Sequence, residues 1–249
     1  MRIIISPAKK MKTDTDTLEY HGLPRFMEDT GILLSRLREL SYEEAKKLWN
    51  CNDKIAACNY ERLEKMDLCR NLTPAVLSYE GIQYQYMAPH VFESKELAYI
   101  NEHLRILSGF YGLLNPFDGV VPYRLEMQAR LTVSGCRSLY EFWNKRLAEQ
   151  LFSESSCIIN LASAEYSKCI SAYLPEKADY ITCIFGELIG GKVVEKGTLV
   201  KMARGEMVRF MAENRIEDRK KLREFDRLQF TYSKELSNRN TYVFLKGKK

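Results

Sequence analysis

The sequence has little of what marks exported, membrane-spanning or metal-binding proteins. Its 249 residues contain no apolar run near the ~20 residues that cross a bilayer, and the apolar stretch Ile3–Ile5 is too short for a signal peptide. Three histidines, His21, His90 and His103, lie far apart and form no metal-ligand spacing. We therefore expect a cytoplasmic protein with no membrane contact, no metal site and no bound cofactor.

Cysteine is present but in no pattern that indicates a disulfide framework or a zinc site. The number is odd, and no two cysteines have the spacing of a zinc ribbon or a thioredoxin motif. We expect reduced thiols. Cys169 alone has a neighbour, Lys168, that could lower the pKa of its thiol.

Positive charge is concentrated towards one end of the sequence. The whole chain has 38 basic and 33 acidic residues, a net charge of +5. Residues 196–249 hold 15 of the basic and 7 of the acidic residues, a net of +8, so the rest of the chain is slightly acidic. A basic segment on a near-neutral body favours a polyanionic partner.

Hydrophobic spacing predicts a mixture of helices and strands in a single domain spanning residues 1–249. We expect an α/β or α+β fold with a central sheet and a helix-rich part, without the regular alternation of a Rossmann sheet. Predicted helices include 26–40, two that begin at the capping residues Ser41 and Asn52, one that begins at Thr73–Pro74, 94–107, 139–151, 164–170 and 200–215. Predicted strands are 3–5, 157–160, 180–185, 192–195, 228–232 and 241–245.

The stretch Leu107–Asp118 (LSGFYGLLNPFD) places two glycines three residues apart after a helix-like run. If one helix ends at Gly109 and another begins after Gly112, the backbone N–H groups of the turn are free to hold a phosphate. This interpretation predicts a helix-hairpin-helix-like element. An ordinary helix end followed by a loop fits the same local pattern.

Four segments together resemble the YaaA family of bacterial peroxide-stress proteins, and their order and spacing span nearly the whole chain. The resemblance implies a cytosolic protein with a fold of its own, a role in lowering free intracellular iron under peroxide, and binding of double-stranded DNA through a helix-hairpin-helix. Gln128 departs from the family, where glycine is typical. The segments are Ile5–Lys9 (ISPAK), Leu107–Leu131, Asn160–Lys168 (NLASAEYSK) and Ala203–Phe210 (ARGEMVRF).

The leading functional prediction is therefore a stress-response protein that binds double-stranded DNA through the hairpin and a basic cleft. Such binding should be salt-sensitive with little sequence preference. Arginine suits phosphate because its planar fork donates two hydrogen bonds, although pairing with Glu126 or Glu165 is an alternative role. Gly205, on the predicted helix 200–215, has no side chain and so leaves room for another element to pack closely. The predicted phosphate-binding residues are Lys9, Ser108, Gly109, Tyr111, Gly112, Arg124, Lys168, Arg204 and Arg209.

The alternative prediction is an enzyme that acts on a nucleotide or nucleobase-like ligand. Arg124 and Glu126 share one face of an extended segment, where they either pair with each other or form half of a polar site. Glu165 follows a strand, a place where α/β folds often carry polar sites, and Ser163 before it could cap a helix. Whether any reaction is catalysed stays open. The predicted pocket residues are Ser6, Tyr123, Glu126, Asn160, Glu165 and Tyr166.

Overall fold

A computed structural model describes residues 1–247 and confirms the mixed α/β class. The single-domain prediction spans 1–249, and residues 248 and 249 lie outside the described part. The strands are β1 (Arg2–Ile5), β2 (Lys10–Met11), β3 (Thr73–Pro74), β4 (Tyr79–Glu80), β5 (Leu104–Ser108), β6 (Gly112–Leu114), β7 (Gly119–Val120), β8 (Cys157–Leu161), β9 (Asp179–Ile189), β10 (Lys192–Val194), β11 (Phe230–Tyr232) and β12 (Thr241–Lys246).

Helices connect several of the strands, and short 3₁₀ turns lie at residues 89–91, 219–224 and 227–229. None of the helices within residues 1–247 is long and apolar enough to span a membrane. The helices are α1 (Met27–Arg38), α2 (Tyr42–Trp49), α3 (Asp53–Lys65), α4 (Ala75–Ser78), α5 (Ile82–Met87), α6 (Ser94–His103), α7 (Leu139–Trp143), α8 (Arg146–Glu154), α9 (Ala164–Ser171) and α10 (Gly197–Glu213).

The main sheet has eight strands in the order β11-β12-β9-β8-β1-β5-β6, with β10 paired to β9. Its middle, from β12 to β5, is parallel throughout. Numbered along the chain, the five parallel strands lie in the spatial order second, first, third, fourth, fifth, which is a common order of doubly wound sheets. The order therefore reverses at β1, between β5 on one side and β8 on the other.

Both faces of β1 are covered by other elements. Ile3, Ile4 and Ile5 are all fully buried, and successive side chains of a strand point to opposite faces of the sheet. Helix α6 packs on β1 and β5, and α10 packs on β9 and on α5. Each buried isoleucine stabilises the fold by roughly 1.5–3 kcal/mol, so β1 anchors the centre of the sheet.

Two of the predicted helix starts are confirmed by their caps. Ser41 accepts a hydrogen bond from the Glu44 N–H, and the Glu44 side chain accepts one from the Ser41 N–H, which completes a capping box. Asn52 caps α3 by accepting from the Ile55 N–H at 3.0 Å. These local patterns determine helix starts without help from the rest of the fold.

The predicted helix start at Thr73–Pro74 is wrong. These two residues form β3, which pairs with β7, and α4 begins immediately afterwards at Ala75. The Thr73 hydroxyl does not cap that helix but accepts a hydrogen bond from the Asp14 N–H at 2.8 Å. The Thr73 hydroxyl, which the local pattern predicts to be a helix cap, is therefore used in a contact with a residue distant in the chain.

The segment predicted as a helix-hairpin-helix is a buried β-hairpin. The predicted helix 94–107 ends at His103, and β5 then pairs antiparallel with β6. The N–H groups of Phe110 and Tyr111 donate to the Ser108 Oγ at 3.1 and 2.8 Å, inside the protein. Because these donors are used and buried, the turn cannot hold a phosphate, and the helix-hairpin-helix prediction is wrong.

Close packing at Gly205, predicted from its missing side chain, is confirmed. A Cβ atom at this position would lie 2.2 Å from the Gln83 carbonyl oxygen and 2.9 Å from the Met87 nitrogen. Real Cβ contacts are longer than this, so α10 approaches α5 more closely there than any other residue would permit. Arg204, the neighbour of Gly205, is positioned by this contact.

Candidate functional site

Two parallel strands end side by side at the point where the strand order reverses. Residue 6 follows β1, and residue 163 comes two positions after β8. The Ser6 hydroxyl donates to the Ser163 Oγ at 3.1 Å and accepts from the Ser163 N–H at 2.8 Å. Open α/β sheets bind ligands outside the carboxyl ends of their strands at such a reversal, so this edge is where a site is expected.

Ser163 occupies the predicted N-cap position of α9, but its side chain does not cap that helix. Its hydroxyl instead accepts the hydrogen bond from Ser6. The capping alternative is therefore wrong, and Ser163 connects two strand ends.

A pocket with a volume of about 410 Å³ opens at this edge, within the ~300–1,000 Å³ usual for small-ligand sites. We call it the switch-point pocket. Its wall combines residues that follow β1 and β8, the extended segment 122–127, and helices α5 and α10. Eight of the predicted site residues line it: Ser6, Lys9, Tyr123, Arg124, Glu126, Glu165, Tyr166 and Arg204.

Glu126 is held between two cationic side chains in the switch-point pocket. Its carboxylate is 2.8 Å from Lys9 Nζ and 3.5 Å from the Arg124 guanidinium. Its side chain is 16% exposed. Arg124 and Glu126 thus pair with each other, as one of the two alternatives expects, and both remain in the pocket wall.

Glu165 is a second carboxyl group of the same pocket, in different surroundings. Its Oε1 accepts the Gln128 N–H at 3.2 Å. Burial raises the pKa of Glu165, and the nearby charge of Glu126 acts in the same direction, while the Gln128 N–H opposes the shift. One carboxyl group is therefore held by cations while the other is biased towards its protonated form.

The pocket also holds two guanidinium groups with unused hydrogen-bonding capacity. Within residues 1–247, the Nε atoms of Arg124 and Arg204 are buried and have no hydrogen-bond acceptor. Arg204 is 3.8 Å from Glu195 and not paired with Glu126 or Glu165. Burial lowers the pKa of the Arg204 guanidinium, but arginine stays charged in proteins, so the pocket contains a buried cation suited to an anion.

Tyrosines form the aromatic part of the pocket. The Tyr123 ring stacks on Phe110, and its hydroxyl is 2.8 Å from the Tyr79 hydroxyl and 2.6 Å from Ser108 Oγ. The Tyr84 hydroxyl donates to the Ser6 carbonyl at 3.0 Å. Burial raises the pKa of Tyr123 to about 12, so these hydroxyls are neutral hydrogen-bonding groups at neutral pH.

Three other predicted site residues lie away from the pocket. Lys168 is exposed, with its ammonium 4.8 Å from the centre of the Tyr140 ring. Arg209 pairs with Glu213 at 2.7 Å. Asn160 is buried in β8, where it donates to the Thr182 hydroxyl and accepts the Ala162 N–H, so its contacts are structural.

The four predicted residues of the hairpin are interior packing residues. Gly109 lies against the Leu125 backbone, and Gly112 has φ +75° and packs against Trp143. Tyr111 is fully buried, and its hydroxyl accepts the Val121 N–H at 3.1 Å. With Ser108 bonded to Tyr123, this hairpin supports the pocket wall from behind and does not reach solvent.

Sequence reasoning missed several residues of the pocket, above all those of α5. Gln83 and Tyr84 line it, and so does Lys10 at the start of β2. The sequence feature that could have identified α5 as part of the site is the group of tyrosines near Gly81, namely Tyr79, Tyr84 and Tyr86. A Cβ at Gly81 would lie 2.9 Å from Ala8 Cβ, so this glycine lets α5 approach the turn after β1.

Cys169 is not an activated thiol. All seven cysteines are free. Burial raises the pKa of Cys169 to about 12 and outweighs the charge of Lys168, which acts in the expected downward direction. Among residues 1–247, no three His, Cys, Asp or Glu side chains are grouped to hold a metal ion.

Comparison with known proteins places the chain in a family. The family described as "Peroxide stress protein YaaA" matches residues 1–236. The chain belongs to the YaaA peroxide stress protein family. Relatives named "UPF0246 protein" are 57% identical in Lachnoclostridium phytofermentans, 56% in Desulfitobacterium hafniense and 51% in Pediococcus pentosaceus. Each alignment covers 99% of this chain and 97–98% of the relative.

The four segments by which the chain resembles this family meet at the switch-point pocket. Lys9, Arg124, Glu165 and Arg204 each come from a different one of these segments and line the same cavity. The family resemblance and the geometry of the pocket therefore point to one place on the molecule.

Proposed function

We propose that this YaaA-family protein binds a nucleotide-like ligand in the switch-point pocket, as part of a cytoplasmic response to peroxide stress. The observation that carries the proposal is the pair of guanidinium groups, Arg124 and Arg204, whose Nε donors are buried in the pocket wall without an acceptor within residues 1–247. A buried donor left unsatisfied costs about 1–3 kcal/mol. An anionic ligand would supply the missing acceptors.

The remaining pocket residues favour a ligand with an aromatic, hydrogen-bonding part. Tyr84, Tyr123 and Tyr166 provide aromatic surface, and the two glutamates can accept hydrogen bonds from the N–H groups of a base. A phosphate near Arg204 and a base among these groups match the chemistry of a nucleotide.

Thermal stability in the presence of ligands tests this proposal. A panel of nucleobases, nucleosides and nucleoside 5′-phosphates is added to the purified protein and to two variants. Arg204→Met removes the buried cation. Arg209→Met is the matched control, because Arg209 lies on the same helix and pairs with Glu213 outside the pocket.

At a ligand concentration of about 100 Kd, binding stabilises a protein by ~2.7 kcal/mol. For a domain of this size we expect Tm to rise by about 5–11 °C. The Arg209→Met variant should retain this shift and Arg204→Met should lose most of it. A panel without any shift, or an undiminished shift in folded Arg204→Met, would contradict the proposal.

A second candidate partner is double-stranded DNA, favoured by the lysines of the same pocket. Lys9, Lys10 and Lys201 line it with exposed side chains. Lys10 is paired with Glu80 and Lys9 with Glu126, which reduces the charge they offer to phosphates. With the hairpin buried, such contacts would come from this rim.

Fluorescence anisotropy with a DNA duplex over a range of salt concentrations tests the second candidate. Each phosphate contact contributes ~0.9 to the slope of log K against log salt. Lys10→Gln combined with Lys201→Gln should therefore lower the slope by about 2, while Lys65→Gln on α3 leaves it unchanged. Absence of binding at low salt would reject DNA as a partner.

The cellular part of the proposal is that the protein lowers free intracellular iron under peroxide. Its membership of a family of peroxide stress proteins supports the link to peroxide, and the iron role is what the resemblance to that family implies. Chelatable iron is measured in peroxide-treated cells that lack the gene and carry either the wild-type or the Arg204→Met protein. We expect the wild type to lower the iron level and the variant to fail. Equal iron levels with an empty plasmid and with the wild-type protein would refute this role.

A further inference from the structure

The two carboxyl groups of the switch-point pocket have opposite surroundings although they lie close together. Glu165 accepts the Gln128 N–H, two residues beyond Glu126 in the chain. Both glutamates line the pocket, and they are near enough for the Glu126 charge to act on Glu165. Glu126 contacts two cationic side chains, Lys9 and Arg124. Glu165 has no ion-pair partner within residues 1–247 and is half-buried.

A pair of carboxyl groups in such contrasting environments is an arrangement that catalyses cleavage of glycosidic bonds. One group donates a proton to the leaving group, and the ionised partner stabilises the positive charge that develops on the sugar and activates a water molecule. The proposed nucleotide-like ligand contains one such bond, between the sugar and the base.

We propose that the protein hydrolyses the N-glycosidic bond of a nucleoside 5′-monophosphate, with Glu165 as the proton donor to the base and Glu126 as the acceptor of the proton from water. This inference rests on the proposed binding of a nucleotide-like ligand. The phosphate is assigned to Arg204, whose buried Nε is without an acceptor within residues 1–247, with Lys201 one turn earlier on α10.

The bonds and protons of this reaction balance with water as the co-reactant. The oxygen of water bonds to the anomeric carbon of the sugar, and the bond from that carbon to the nitrogen of the base breaks. The nitrogen keeps the electron pair and receives the Glu165 proton, while Glu126 takes a proton from the water. Transfer of that proton back to Glu165 through solvent restores the site, leaving the free base and the sugar phosphate.

The surroundings of Glu165 favour its protonated form. Burial and the Glu126 charge both favour the protonated form, and the Lys9 ammonium and the Gln128 N–H oppose it. Lys9 is bound at 2.8 Å to Glu126, which directs its charge mainly to that carboxylate. Tyr166, the next residue along α9, is buried and neutral.

The experiment incubates the full-length protein with ribonucleoside and deoxyribonucleoside 5′-monophosphates and measures the free base by chromatography. Nucleotide binding is followed in parallel by thermal shift. We expect wild-type protein to release base from at least one nucleotide, and Glu165→Gln to reduce release by about 100-fold or more, in the range of lost general acid catalysis. The thermal shift should persist in Glu165→Gln, because its amide keeps the size of the side chain.

Glu61→Gln, on the exposed face of α3, is the matched control and should release base at the wild-type rate. The wild-type rate should also fall as pH rises through the range where Glu165 loses its proton, a result that does not depend on any variant. Nucleotide binding without base release by the wild type would overturn this inference and leave the proposed function intact. Neither binding nor release would overturn both.

Discussion

Replacing Gly205 with alanine tests whether the close contact of α10 with α5 shapes the protein and its pocket. The new Cβ would lie 2.2 Å from the Gln83 carbonyl oxygen, whereas ordinary contacts begin near 3.4 Å. The helices would have to separate by about 1 Å, the difference between these two distances. The Met87 nitrogen, at 2.9 Å, is also a backbone atom, so rotation of a side chain cannot relieve the clash.

The expected change in the free energy of unfolding follows from two opposing effects. Overpacking a buried contact typically costs about 1–3 kcal/mol, and glycine-to-alanine substitution inside a helix returns up to ~1 kcal/mol. We expect a net loss of about 1–2 kcal/mol, which lowers Tm by about 2–8 °C for a domain of this size. Because Tyr84 and Arg204 lie on the two helices that separate, nucleotide binding should weaken as well.

Scanning calorimetry of Gly205→Ala beside Gly197→Ala measures this effect. Gly197 begins the same helix, and a Cβ there would meet nothing within 4 Å, so its substitution should not lower Tm. If Gly205→Ala unfolds at the wild-type temperature or above it, the proposed role of the close contact is refuted.

Two further changes test the interior. Burial raises the pKa of Asp118 to about 6, above its usual ~3.9, so the stability from its protonated form is present below pH ~4 and lost as pH rises through about 6. In urea titrations, the unfolding free energy of the wild type minus that of Asp118→Asn should fall by about 2 kcal/mol between pH 4 and pH 7; a constant difference would contradict the assignment. Trp143→Phe removes the bond from Trp143 Nε1 to the Gly109 carbonyl, 3.0 Å long and buried, and should cost about 1–3 kcal/mol with the nucleotide-induced thermal shift unchanged; wild-type stability in urea would show that this bond contributes nothing.

Local sequence patterns correctly predict those elements whose conformation is determined by residues next to each other in the chain. The capping box at Ser41 and the cap at Asn52 place α2 and α3 correctly, because each is completed within four residues. The glycine pair 190–191 likewise predicts the hairpin of β9 and β10. Asn144, with φ +46°, divides the predicted helix 139–151 into α7 and α8, and no apolar pattern reveals that break.

The strand β5 could not be predicted from its residues alone. A short buried strand can have the same apolar spacing as a segment of a buried helix. Leu104 and Leu107 continue the helical spacing from Ile100, although Leu104–Ser108 is a strand that is buried at every position. Its pairing with β1, which decides the conformation, involves residues about 100 positions earlier. The helix-hairpin-helix prediction failed for this reason.

The candidate site was predictable where its residues follow strands. Ser6 and Glu165 follow β1 and β8, and their placement near each other comes from strand order. Gln83 and Tyr84 enter the pocket because α5 packs against α10 at Gly205, a contact between parts of the chain that share no local pattern. Lys168 and Arg209 share their motifs with pocket residues but point elsewhere, since a helix presents neighbouring residues to different sides.

The central position of β1 determines when the pocket can form during synthesis. Ile3 pairs with Leu104 on one side and with Ile159 on the other. The first strand to be synthesised therefore cannot pair until two later segments of the chain have been made. Pairing across such sequence separations is slow because a long loop must close first. Arg204 emerges from the ribosome later still, so nascent chains that end before α10 lack the buried cation of the pocket, and the proposed ligand binding requires the completed fold.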